Sequence, residues 1–337
     1  MILNDQQIRA MTKGAARIEV NNGYYRFLRF TAAEEQSYVN HPRKTSFHAL
    51  TFQMACVRWA FRTDSNVIEF DFSNYIKTNR SAFVIDVYEN GTFHKAVNIN
   101  FQYINAGHLQ IPLSEGEKLV ELYFPYNAYL TVANVELADG ASFEPANRKY
   151  KMLTYGDSIT HGSSASNPSF SYATRLAAML NADIINKGIC GEHFYPPLIC
   201  EKNAEEPDWI TVAYGTNDWK HCTKEEFDEN CTAVLKGLTA FYPNTPIFVI
   251  SPSWRTDSNI DTPFGAPATE IYAQICKNAA AFPNATVIRG WDLVPHDKSF
   301  FADSRLHPSD LGFGIYSANL YRAIIPHLIQ KIGYSFD

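Results

Sequence analysis

Apolar and polar residues alternate with a period of two through the first half of the chain and gather into short apolar blocks in the second. In Phe83-Val84-Ile85-Asp86-Val87-Tyr88 the odd positions are apolar and share one face of an extended strand. Glu89-Asn90-Gly91-Thr92 follows, and Asn-Gly is the strongest short hairpin signal because both residues tolerate positive φ. Val67 to Phe72, Lys118 to Phe124 and Tyr129 to Leu137 are further strand-like runs, with no helix-length periodic segment between them. Asp86, Glu121 and Glu136 alternate with apolar neighbours and read as the solvated face of a sheet. Short strands punctuated by turn residues predict an all-β sandwich of jelly-roll type over residues 1–145.

Ala141-Ser142-Phe143-Glu144-Pro145 reads as a linker, and beyond it the pattern changes. Apolar runs now alternate with helical stretches, which predicts an α/β domain with a parallel sheet over residues 146–337. The expected strands are Lys151–Tyr155, Ile184–Asn186, Trp209–Tyr214, Ile247–Ser251 and Thr286–Gly290. Helices are expected from Asn167-Pro168 to about Leu180, from Glu225 to Phe241, from Thr269 to Ala281, and from near Ser309. Leu320, Ile324 and Leu328 share a face of the last one, which Pro326 should kink or end early.

Length and composition agree with this division. The 337 residues suit two domains, and 46% hydrophobic with 19% charged residues describes a globular protein with material for two cores. A net charge of −6 without any run of Lys or Arg argues against a nucleic-acid surface and against an anionic-membrane patch. The N-terminus lacks a basic-then-apolar leader, and no apolar stretch has membrane-spanning length. A cytoplasmic location is the expectation, or a secreted one if a leader has been removed. Cys56, Cys190, Cys200, Cys222, Cys231 and Cys276 contain no C-x-x-C pair and read as buried thiols. Cys190 with Cys200 and Cys222 with Cys231 are the pairings open in an oxidising compartment.

In an open parallel sheet, reactive groups collect at the carboxyl ends of the strands. The expected strands run into Gly156-Asp157-Ser158, into Asn186-Lys187-Gly188-Ile189-Cys190-Gly191 and into Gly215-Thr216-Asn217-Asp218. Phe301-Ala302-Asp303-Ser304-Arg305-Leu306-His307-Pro308 precedes the last helix. Acyl transfer needs a nucleophile, a base, a group that orients the base, and donors for the developing oxyanion. Ser158 offers a hydroxyl at a tight turn, and His307 an imidazole suited to proton transfer near neutrality. The backbone N–H groups of Ser158 and Gly188 and the amide of Asn217 are candidate oxyanion donors. Asp157 reads as a residue that holds the loop.

Taken in order, Gly156-Asp157-Ser158, Gly188, Gly215-Thr216-Asn217-Asp218 and His307-Pro308 resemble the four sequence blocks of SGNH (GDSL) hydrolases. The resemblance covers roughly residues 150–337. It implies a flavodoxin-like three-layer α/β fold and a metal-independent Ser-His-Asp mechanism without a cofactor. The sequence departs from the family at one point. The family places Asp three residues before the His, where this chain has Ser304, and Asp303 lies one residue further upstream. Either Asp303 reaches His307 across a one-residue bulge, or Ser304 or a main-chain carbonyl orients the ring.

A β-sandwich ahead of such a domain resembles family-two carbohydrate esterases and some related acyltransferases. The function expected from it is hydrolysis of a small acyl ester, acetyl first, from a carbohydrate or similar alcohol. Transfer to another hydroxyl and a catalytically silent carbohydrate-binding protein are the alternatives. Trp219, Trp254 and Trp291 follow strand ends and are candidates for a sugar-stacking platform. Arg255 is a candidate contact for an acidic substrate or a partner for a local carboxylate, and the sequence does not decide between them. His161, His193 and His221 are candidate pocket residues without metal-ligand spacing. The expected partner is a small-molecule or glycan ester, and the sequence has no pattern that fixes an oligomeric state.

Overall fold

The computed structural model describes residues 1–74, 82–100 and 106–336. Two antiparallel sheets form from the first half. One runs in the spatial order Arg17–Asn21, Tyr24–Leu28, Leu130–Leu137, Val67–Asn74, Ala106–Pro112. The other runs Thr12–Lys13, Arg58–Thr63, Lys118–Tyr123, Ala82–Glu89, Thr92–Asn100. Numbering the eight main strands from Tyr24–Leu28 to Leu130–Leu137 gives sheet orders 1-8-3-6 and 2-7-4-5, the jelly-roll order expected from the sequence. The hairpin at Asn90-Gly91 is present, with φ of 50° and 76°.

The alternation fills the core of this sandwich. Phe83, Ile85 and Val87 are at most 1% exposed. Trp59 sits at the centre, packed edge-on against Phe124 at 4.9 Å and Phe70 at 5.2 Å between ring centroids. The three acidic residues depart from the expected solvated face. Asp86 is fully buried, Glu121 is buried and Glu136 is half-buried. Asp86 accepts hydrogen bonds from Asn167 Nδ2 at 2.6 Å and from the Ser169 amide at 2.9 Å. Glu121 lies 2.9 Å from both Arg58 and Arg148. Alternation identifies the strand, but a buried acid with donors in reach has the same signature as a solvated one.

The second half forms a five-stranded parallel sheet, Ala182–Asn186, Tyr150–Gly156, Trp209–Ala213, Ile247–Ile250, Ala285–Ile288. This is the flavodoxin-type order 2-1-3-4-5. Ile247-Phe248-Val249-Ile250 is at most 1% exposed along its whole length, as a strand covered on both faces requires. The helix Lys224–Phe241 starts at a Thr223–Glu226 capping box. The helix expected from Asn167 divides into a 3-10 turn, Pro168–Phe170, and an α-helix, Tyr172–Met179, capped by Ser171. The last helix, Asp310–Ile332, is capped by Ser309 and by Gly333 at φ 64°, and it continues past Pro326. No helix among the described residues is long and apolar enough to cross a membrane.

By contacts the chain separates into two compact units, and the cut is not a single point. Residues 1–31, 51–148 and 167–169 make the sandwich unit, and residues 32–50, 149–166 and 170–337 make the α/β unit. The segment Ala32–Leu50, inside the expected first domain, therefore belongs with the second. It is held there by Glu34, which forms a fully buried ion pair with Lys187 after the second parallel strand. His41 packs against Tyr195 at 4.2 Å, and the Tyr195 hydroxyl donates to the Ser37 carbonyl at 2.7 Å. None of the six cysteines is in a disulfide; Cys56, Cys222 and Cys231 are buried, Cys190 and Cys276 half-buried and Cys200 exposed.

Candidate active site

At the end of the first parallel strand the chain turns through Gly156-Asp157-Ser158. A Cβ on Gly156 would lie 2.1 Å from Thr160 Oγ1 and 2.8 Å from the Ala213 carbonyl, so only glycine permits this turn. Asp157 caps the short helix Ser158–His161 by accepting the Ile159 N–H at 2.9 Å, the holding role its position suggests. Burial pushes the Asp157 carboxyl up to about 7, against the pull of that amide and of Arg255. Ser158, only 6% exposed, donates its hydroxyl to His307 Nε2 at 2.8 Å.

His307 lies on a loop closed at its base by the Phe301–Pro308 bridge and by the Ala302 N–H bonded to the His307 carbonyl at 2.8 Å. Within it Ser304 adopts φ 55°, the left-handed conformation that accommodates one extra residue. That bulge sets Asp303 opposite the ring, and His307 Nδ1 meets Asp303 Oδ2 at 2.8 Å. Asp303 Oδ1 accepts the amides of Arg305, Leu306 and His307 at 3.0, 2.7 and 3.1 Å. Burial opposes the charge on Asp303, but the Leu306 amide, the His307 ring and the other two amides outweigh it and hold the carboxyl at about 2. An ionised Asp303 fixes the proton on Nδ1, which leaves the Nε2 lone pair facing Ser158. Of the three ways to orient His307, the geometry presents the Asp303 carboxylate.

The candidate oxyanion donors are arranged differently from the expectation at one position. Asn217 lies in the helix Thr216–His221, and its Nδ2 donates to the Glu192 carbonyl at 2.8 Å, which fixes the amide and leaves a second N–H. The Gly188 amide donates to Asn186 Oδ1 at 2.7 Å and is buried, so it has no N–H to offer an oxyanion. The missing side chain at Gly188 serves packing instead, because a Cβ there would lie 2.6 Å from the His161 amide. Three residues on, Gly191 has φ 87° in the turn closed by the Glu192 amide and the Ile189 carbonyl. Among the described residues its amide has no protein acceptor. The second glycine of Gly188-Ile189-Cys190-Gly191 was the available signal for it.

Most of the expected substrate contacts turn out to be internal supports. Trp219 is fully buried, with its indole N–H on the Ala266 carbonyl at 2.8 Å and the Arg255 guanidinium 4.6 Å above its ring. Arg255 is itself buried. It grips Asp257 through two bonds of 2.6 and 2.9 Å and donates to Thr216 Oγ1 at 2.9 Å. Asp257 also meets Arg305 at 3.3 Å, and the Thr256 amide bonds to the Arg305 carbonyl at 3.1 Å. One buried guanidinium thus links the turn that carries Asn217 to the loop that carries His307. Trp254 and Trp291 are half-buried around the exposed His296, with Trp254 stacked on that imidazole at 5.7 Å. His161 is buried with Nδ1 on the Gly188 carbonyl at 3.0 Å. His193 is buried and His221 exposed.

Among the described residues no group of three or more His, Cys, Asp or Glu side chains is placed to hold a metal ion. Residues 154–315 match the GDSL-like Lipase/Acylhydrolase family. No curated protein matches the chain. Among solved structures the chain is similar to a salicylyl acyltransferase from a tetracycline biosynthetic pathway, with 20% identity, a TM-score of 0.80 and 96% of each chain covered. It is also similar to a family-two carbohydrate esterase from Cellvibrio japonicus, at 15% identity and TM-score 0.67 over 99% of this chain and 98% of that one. A third similar structure is a family-two carbohydrate esterase from Clostridium thermocellum in complex with cellohexaose, at 14% identity and TM-score 0.64 over 82% and 93%. At these identities the likeness establishes the fold.

Proposed function

We propose that this chain, a GDSL/SGNH hydrolase behind an N-terminal antiparallel β-sandwich, cleaves small acyl esters, acetyl esters first, of a carbohydrate or similar alcohol. The observation that carries the reading is the unbroken line from Ser158 through His307 to Asp303, with both hydrogen bonds at 2.8 Å. Ser158 Oγ attacks the ester carbonyl as His307 Nε2 takes its proton. Asp303 stabilises the imidazolium through Nδ1. The Ser158 amide, the Gly191 amide and the second N–H of Asn217 receive the oxyanion. His307 then protonates the departing alcohol, leaving an acyl group on Ser158. A water deprotonated by the same imidazole releases the acid and restores the hydroxyl.

The similarity in fold to a salicylyl acyltransferase supports a second reading, in which an alcohol rather than water accepts the acyl group. Both share the acyl-Ser158 intermediate. The test is turnover of p-nitrophenyl acetate against longer acyl esters by wild type, Ser158→Ala and His307→Ala, with an added alcohol to detect transfer. Acetate turnover lost in both variants is the expected outcome. Transfer product in excess of acid selects the second reading. No turnover of any ester by wild type, acetylated sugars included, overturns both and leaves a carbohydrate-binding protein.

A further inference from the structure

Beside the oxyanion turn the α/β unit holds a cavity of about 460 Å³ bounded by His41, Arg43, Glu192, His193, Tyr195 and Glu226, with Pro196 and Pro197 in its wall. We propose that this cavity is the subsite for the alcohol part of the ester and that it takes an uncharged, polyhydroxylated group such as a sugar ring, read by His193. The inference rests on the ester-hydrolase reading for its place in the reaction but not for the binding itself.

Three observations carry it. The cavity is fastened to the oxyanion residues, since the Glu192 carbonyl that fixes Asn217 Nδ2 at 2.8 Å immediately precedes His193. The His193 side chain is 8% exposed; the Asn217 carbonyl faces its ring, yet neither ring nitrogen closes a hydrogen bond of good geometry. A buried polar atom without a well-made hydrogen bond costs roughly 1–3 kcal/mol, so an imidazole in that state on the cavity wall points to a ligand that satisfies it. The charged groups of the lining face one another. Arg43 faces Glu226 at 3.6 Å, and His41 faces Glu192 at 3.4 Å.

The chemistry of His193 narrows the ligand. Burial, with the positive charge of Arg43 and the neighbouring His221 and His41, pushes its pKa down to about 3. It is therefore neutral at working pH, with one N–H to donate and one lone pair to accept. A hydroxyl, which also donates and accepts, matches that pair, whereas a carboxylate leaves the lone pair opposed. Tyr195 and the two prolines supply flat apolar surface for the C–H face of a ring.

The test uses the full chain with Ser158→Ala, so that no turnover obscures binding, titrated with cellobiose and with xylobiose by calorimetry. Saturable binding of one of them is expected. Adding His193→Ala should weaken it at least tenfold, His193→Phe should abolish it, and His193→Gln, which keeps a donor and an acceptor, should restore it to within about threefold. Thermal melts establish that each variant is folded. Absence of binding to both disaccharides overturns the proposal, as does binding that all three His193 variants leave unchanged. Failure of wild type to cleave p-nitrophenyl acetate is a separate result, which sinks the hydrolase while leaving the binding site standing.

Discussion

Asp86 in the sandwich unit and Asp218 in the α/β unit are both fully buried carboxyl groups, and their surroundings are opposite. Asp86 accepts three hydrogen bonds, from Asn167 Nδ2 and from the Ser169 amide and hydroxyl, at 2.6, 2.9 and 2.6 Å. Asp218 accepts one from the Phe194 amide at 3.0 Å, and its second oxygen has none. A similar contrast separates Glu121, held between Arg58 and Arg148, from His193, buried with neither ring nitrogen in a well-formed hydrogen bond. Fully matched polar groups specify a fold. Incompletely matched ones are costly, and each calls for its own explanation.

The sharpest way to break that contrast is to substitute one residue of each kind and ask whether activity or stability responds. Asp303→Asn should lower kcat on p-nitrophenyl acetate by roughly 10⁴-fold, since it leaves the shape of the loop and removes the charge behind His307. Thermal stability should move far less. A drop of under tenfold means that the His307 ring does not depend on the carboxylate. In the sandwich, Glu121→Ala strands Arg58 and Arg148 and should cost about 3–5 kcal/mol in denaturant unfolding. A loss under 1 kcal/mol shows that those guanidinium groups find other partners and that the network is not what specifies the sheet.

Asp218 provides an intermediate test through pH. Burial, outweighing the Phe194 amide, raises its carboxyl to about 7, above the value near 3.9 of an unfolded chain. A group raised in this way favours the folded state while protonated. Its contribution is intact below about pH 4 and is lost as pH rises towards 7. Asp218→Asn should therefore remove part of a decline in melting temperature between pH 5 and pH 8. An unchanged slope means that the carboxyl is solvated in the folded protein. The smallest effect is expected at Ser304, where φ of 55° is open to glycine. Ser304→Gly should keep kcat within about twofold and shift stability by under 1 kcal/mol, whereas the β-branched Ser304→Val should lose both.

How far the sequence revealed this arrangement depends on the range of each interaction. The parallel strands and the Ser158 and His307 blocks were legible because apolar runs, turn glycines and caps act over a few residues. The bulge at Ser304 was legible as one of several outcomes, since a departure in spacing states the problem without its geometry. Trp219 was a candidate substrate contact and packs instead, while Arg255, open between an acidic substrate and a local carboxylate, pairs with Asp257. Their burial follows from each other and from Asp257, and no local pattern separates a tryptophan that packs from one that binds. The Gly188 reading failed for a similar reason, because the partner that occupies its amide is the Asn186 side chain two residues away. Residues 32–50 were invisible as part of the α/β unit, because Glu34 and Lys187 are 153 positions apart.

That last separation also sets a timetable for synthesis. At about 5–20 residues per second, the ribosome exposes Ala32–Leu50 roughly 8–30 seconds before Lys187 and Tyr195 exist to receive it. Until then a stretch that carries Glu34 and the aromatic rings of Tyr38 and Phe47 must wait without Lys187 while the strands on either side of it pair. The whole sandwich unit, Asn167–Ser169 included, has been made by then. Splitting the gene at residue 148 would consequently hand each product a piece that the other needs.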